Sequence, residues 1–226
     1  MIKHTKFRLA LIALIAAIGQ SSIQAEFINT FPAWNGTSYV VPFGETDTAT
    51  YGQTITTGAT DTVLQDFSFL IRTTTVNPTR FEAFVMAWDS VNSRATGSVL
   101  YQTGMYTNAV GPVFSEIFVP VGVNLNPNSE YVLFFNASNV FDGNEDAADF
   151  ANVGNEYAGG SFVFINNSND FGLVTTASWV TGWIGDGDLA FKANLTAVPE
   201  PASWALIAGG LAIVGVKRLR RKRAIV

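Results

Sequence analysis

The sequence contains no cysteine, which removes disulfides, thiolate nucleophiles and thiolate-bound metals from its chemistry and leaves stability to the core. Histidine occurs once, as His4. One imidazole near the N-terminus cannot build the usual Ser–His or Cys–His pairs, and histidine-ligated zinc is excluded with them. Positive charge is scarce through most of the chain. Of 13 Lys and Arg, only Arg72, Arg80, Arg94 and Lys192 lie between the two terminal segments. Set against 17 Asp and Glu, they leave that body at −13. So acidic a body argues against nucleic acid or anionic lipid as its partner and favours cations and neutral glycans. Long apolar runs are missing from the body too, and occur at the two ends alone.

At the N-terminus, Lys3, His4, Lys6 and Arg8 precede an uncharged run from Leu9 to Ile18 and a polar step ending Ile23-Gln24-Ala25. This is the anatomy of a secretory signal peptide, residues 1–25, with cleavage expected after Ala25. The C-terminal segment, 198–226, holds Pro199-Glu200-Pro201, then fifteen uncharged residues from Ala202 to Val216, then Lys217, Arg218, Arg220, Arg221, Lys222 and Arg223. The order fits a transmembrane helix over 202–216 with a basic stop-transfer flank at 217–223. Trp204 falls where indole rings gather at a membrane–water boundary. The run would cover about 22 Å, less than a hydrocarbon core of about 30 Å, so a transient stay is expected. Pro-Glu-Pro, a short apolar helix and an Arg-rich end, in that order, resemble the sorting signal of PEP-CTERM proteins. The resemblance implies processing by an exosortase, a membrane-embedded cysteine transpeptidase of bacteria that make exopolysaccharide. It also implies a transient inner-membrane stage followed by the cell surface or extracellular matrix.

Residues 26–197 read as one all-β domain. No sustained helical period appears, while short β-branched and aromatic runs recur between Gly, Asn, Asp and Pro clusters. Strands are expected at Thr50–Ile55, Val63–Arg72, Phe81–Trp88, Ser98–Tyr101, Phe114–Val119, Tyr131–Ala137, Ser161–Ile165, around Ser178–Trp183, and at Leu189–Leu195. Phe81–Trp88 and Tyr131–Ala137 are apolar on both faces and should be covered on both. Asn126-Pro127-Asn128 predicts a hairpin turn, as does Gly185-Asp186-Gly187-Asp188. Eight or nine strands in a body of this length predict a two-sheet antiparallel sandwich of jelly-roll type, with a closed barrel as the alternative. Pro42-Phe43-Gly44-Glu45, Gly97-Ser98-Val99-Leu100-Tyr101 and Tyr157-Ala158-Gly159-Gly160 resemble stretches of the sandwich domains many PEP-CTERM proteins carry. That resemblance implies a fold and brings no catalytic residues.

Asp142, Asn144 and Asp146, followed by Asp149, place oxygen ligands in an otherwise irregular stretch, a pattern that suits Ca²⁺. Ala147 and Val153 stand where an EF-hand needs Gly and Glu, so it is not that motif, and a solvated acidic loop is the alternative. No other cofactor is expected. Among the tryptophans, Trp88 reads as core because it lies mid-strand. Trp179 and Trp183, beside glycine-rich turns, are the candidate stacking platforms for sugars. The expectation is therefore a non-enzymatic surface or matrix protein, structural or adhesive in exopolysaccharide. A Ca²⁺-dependent carbohydrate-binding module comes second, and a glycosidase using two carboxylates third.

Overall fold

The computed structural model describes residues 26–45, 48–182 and 187–197. The predicted signal peptide, the Pro-Glu-Pro segment with its apolar run and basic tail, and Trp183 and Asp186 lie outside them. In chain order the strands are β1 (Glu26–Asn29), β2 (Tyr39–Gly44), β3 (Thr50–Thr56), β4 (Asp61–Thr73), β5 (Thr79–Asp89), β6 (Arg94–Gln102), β7 (Tyr106–Asn108), β8 (Ser115–Asn124), β9 (Glu130–Asn136), β10 (Ala147–Ala151), β11 (Phe162–Ile165), β12 (Val180–Thr181) and β13 (Phe191–Ala197). One short helix, α1 (Leu173–Thr176), follows β11. The described residues thus contain thirteen strands rather than the eight or nine expected.

They form two antiparallel sheets. In the first, β8 and β13 flank β4 along the same residues, while β10 continues the lane of β13 at the end of β4. The next lane is shared by β1, beside β13, and β2, beside β10. The second sheet runs β12, β11, β3, β9, β5, with β6 and then β7 along the free edge of β5.

Alternation explains which residues each sheet turns inward. Tyr51 and Ile55 on β3, Phe67, Phe69 and Ile71 on β4, and Phe191, Ala193 and Leu195 on β13 all enter one shared core. Leu64 is also inward although it lies an odd number of residues from Phe67. The register shift between Leu64 and Asp66 resets the parity, as a β-bulge does. Rings from the two sheets meet edge-on, Phe69 against Phe135 with centroids 5.0 Å apart and Phe43 against Phe81 at 5.8 Å. Each such pair adds about 0.5–1.5 kcal/mol to the burial itself. Among the described residues, eight buried phenylalanines fill this core, in a chain that has no disulfides.

As expected, β5 and β9 are covered on both faces. Their Phe81, Val85, Leu133 and Phe135 face the shared core, and their Phe84, Met86, Val132 and Phe134 face a second cluster closed by Val174 and Trp179. Both predicted hairpin turns are corrected. Asn126–Asn128 links β8 to β9 and Asp188 precedes β13 after β12, and in each case the two strands belong to different sheets. The Asn126–Asn128 turn carries the chain across the sandwich. Sequence-local turn chemistry specifies a reversal, but which sheet receives the next strand depends on its burial partners.

Candidate functional site

The four acidic-loop residues do not converge. Arg80 Nη2 lies 2.7 Å from Asp142 Oδ2, 3.5 Å from Asp146 Oδ2 and 3.8 Å from Glu45 Oε2. A guanidinium therefore occupies the middle of three carboxylates. Asp149 sits elsewhere, on β10, with its Oδ2 2.7 Å from Arg72 Nε. The Arg72 guanidinium is further held between the rings of Tyr39 and Phe114, at 4.5 and 4.7 Å. Asn144 is exposed, and its backbone N–H donates to Asp142 Oδ1 at 2.9 Å. Among the described residues no set of His, Cys, Asp or Glu is arranged to hold a metal. The residues expected to bind Ca²⁺ are thus divided between two arginines, Asp142 and Asp146 at Arg80 and Asp149 at Arg72. The hydrogen bond from Arg80 holds Asp142 down to about 2, whereas burial pushes Asp146 above the ordinary carboxylate value.

Trp179 is corrected as well. It is 3% exposed, its Nε1–H donates to Val174 O at 2.9 Å, and its ring stands edge-on to Trp88 and Phe134 at 5.5 and 5.4 Å. The chain after α1 folds back over the second sheet and drives this indole into the cluster beneath. A ring without exposed surface cannot stack on a sugar. Trp183 lies outside the described residues.

Trp88, expected in the core, is instead half-buried at the end of β5. It borders an open groove of about 440 Å³ on the outer face of the second sheet. Thr54 and Thr56 of β3 and Glu130 of β9 lie along it, with Ser90 and Ser93 from the β5–β6 turn, Thr181 of β12, and residues 155 and 158–161 making up the rest. The stretch before β11 is stitched to β3. Thr56 Oγ1 donates to Gly159 O at 2.8 Å, Thr54 N to Ser161 O at 2.9 Å, and Ser161 N to Thr54 Oγ1 at 2.8 Å. Gly160 presses so closely on the Thr54 carbonyl that a Cβ there has no room. On the opposite side, Trp179 N donates to Ser93 O at 2.6 Å and Ser178 Oγ to Asn92 O at 2.9 Å, fixing the β5–β6 turn.

One residue read as a turn proves to anchor this arrangement. Asp188 is fully buried, and its carboxylate accepts from Gln53 Nε2, Glu156 N and Tyr157 N, each at 2.8 Å. Gln53 Oε1 in turn accepts from Leu189 N at 2.9 Å. Burial outweighs these donors and raises the Asp188 carboxyl above its ordinary value. The sequence clue was Gln53, a polar residue on the apolar face of β3. A buried amide needs a partner, though alternation cannot say which.

On the outer face of the first sheet the polar side chains pair with one another. Ser68 and Lys192 both donate to Glu116, at 2.7 and 2.9 Å, and Gln65 donates to Thr196 at 2.8 Å. Among the described residues no helix is long and apolar enough to cross a membrane, and the predicted span at 202–216 lies outside them.

No protein-family model and no curated protein matches the chain. Among solved structures it is similar to the cysteine protease and lectin-like domains of Cwp84, a surface layer associated protein of Clostridium difficile. That match has 12% identity and a TM-score of 0.44 over 67% of this chain and 33% of the other. It is also similar to the clostridial cysteine protease Cwp84 after propeptide cleavage, with 10% identity and a TM-score of 0.46 over 77% of this chain and 40% of that one. The chain spans less than half the length of either.

Proposed function

We propose that this chain is an exported, non-enzymatic protein of the cell surface or extracellular matrix. Its sandwich is delivered by an exosortase-type enzyme acting at Pro199-Glu200-Pro201 after a transient stay of residues 202–216 in the inner membrane. The observation that carries the non-enzymatic reading is the distribution of carboxylates. Glycoside hydrolysis needs two carboxyls about 5–10 Å apart across an open cleft, and among the described residues Glu130 is the one acid lining the groove. The buried acids Asp146, Asp149 and Asp188 are each spent on an arginine or on internal donors. The strand order supports a jelly roll: consecutive strands alternate between sheets at β3, β4 and β5 and again at β8 and β9. Such a fold displays binding surfaces and does not by itself imply chemistry.

Delivery is tested by Glu200→Ala in the native host. The change leaves the apolar run and basic tail intact and alters the recognition motif alone, so an ordinary anchor would be unaffected. The unprocessed chain should accumulate in the inner membrane, seen by mass spectrometry as protein still carrying peptides from Ala202 onward, while the wild type lacks them. Mature wild-type protein that retains those peptides would refute the sorting reading.

A further inference from the structure

We infer that the groove beside Trp88 is a binding site for a neutral glycan chain, with Trp88 as its apolar wall and Ser90, Ser93, Glu130, Asn155 and Thr181 as its hydrogen-bonding groups. Elsewhere on both outer faces polar side chains pair with one another, as Ser68 and Lys192 do with Glu116 on the first sheet and Gln102 and Asn139 do with Glu82 on the second. In the groove, those five side chains and the Trp88 indole N–H have no hydrogen-bond partner among the described residues. Unspent donors and acceptors gathered on one concavity, with one partly exposed indole among them, suit a ligand that is itself dense in hydroxyls and has apolar C–H faces.

Shape and charge narrow the class. The groove is bounded by Trp88 of β5 and Thr181 of β12 and is open to solvent. An open polar trough takes a segment of a polymer more readily than an isolated small molecule, for which an enclosed, largely apolar cavity is usual. Its single charge among the described residues is Glu130, and the body carries −13, so uronic-acid or sulfated chains are repelled. The walls are already fixed, one by Asp188 and the Thr54–Ser161 bonds, the other by Trp179 and Ser178 holding the β5–β6 turn. Binding therefore orders little of the protein.

This assignment relies on the matrix-protein reading only for where the glycan is met. The assay uses the purified full chain in detergent micelles, which reports the groove whether or not sorting at Glu200 occurs. Neutral gluco-, manno- and galacto-oligosaccharides and their uronic-acid counterparts are titrated by calorimetry. At least one neutral series should bind with Kd below about 1 mM, and more tightly than its acidic counterpart. Glu130→Ala with Asn155→Ala, both exposed, should weaken binding at least about tenfold with the melting temperature unchanged. Trp88→Phe, which keeps a ring over Trp179, should weaken it as well. The site is overturned if no neutral series binds, if acidic chains bind better, or if the variants retain full affinity.

Discussion

Asp188 has no cation beside it among the described residues, and the three donors around its carboxyl explain how it can stay buried. Two of them are the backbone N–H groups of Glu156 and Tyr157, so this side chain determines where the groove-lining loop begins. Replacing it with alanine leaves the Tyr157 amide without an acceptor and leaves Gln53 Nε2 and the Glu156 amide only their bonds to Thr54 O and Gly154 O, at 3.3 and 3.0 Å. We expect Asp188→Ala to cost about 3 kcal/mol in urea denaturation, and to raise hydrogen exchange at the Glu156 and Tyr157 amides. Unchanged exchange at those two positions would show that the loop is held by its bonds to β3 alone. Trp88 and Trp179 make a complementary point about residue-level reading. Mid-strand position suggests burial and turn position suggests exposure, yet Trp88 lies where β5 outruns its cover and Trp179 where a returning segment supplies that cover.

At the scale of elements, the loop from Asp142 to Asp146 is tied down by an arginine from β5. A site already filled by a guanidinium has no differential affinity to offer Ca²⁺, so millimolar Ca²⁺ should leave the melting temperature of the wild-type chain unchanged. In Arg80→Ala, Glu45, Asp142 and Asp146 face one another without a counter-charge. That variant should melt lower, and Ca²⁺ should recover part of the loss. A Ca²⁺-induced rise in the wild type would show that metal competes with Arg80. The strands legible in the sequence were those with alternating faces or long doubly apolar runs, β3, β4, β5, β9 and β13. Missed were β1, β2, β7 and β10. Ala147 to Ala151 is buried at every position, and a short segment covered on all sides shows neither alternation nor bulk. The groove was illegible for a different reason: its residues come from four strands and two loops whose adjacency exists only after the sheet has formed.

Across the whole molecule, ionisation should shape stability in two opposed ways. Burial raises the Asp146 and Asp188 carboxyls, so the folded chain takes up protons at higher pH than the unfolded chain. Their contribution grows as pH falls from neutral through the folded values and is complete near the unfolded value of about 4. Asp142 behaves in the reverse sense. Arg80 holds it at about 2, so its contribution is full above the unfolded value of about 4 and is lost as pH falls through about 2. The melting temperature should therefore climb on mild acidification and collapse below it, and a steady decline from neutral pH downward would contradict this. The lane shared by β10 and β13 bears on how such a protein can change over time. The chain leaves that lane at Ala151 and rejoins it at Ala190, where Ala190 N donates to Ala151 O at 2.8 Å, while Val153 N donates to Asp188 O at 2.9 Å. Everything between, including the Gly159–Gly160 wall, β11, α1 and β12, is a detour whose entrance and exit are clasped side by side. Such a detour behaves as an exchangeable cassette. Lengthening its loops adds a closure cost that grows only with the logarithm of their length, so the loops can vary while β11, whose Phe162 belongs to the shared core, holds the detour in place.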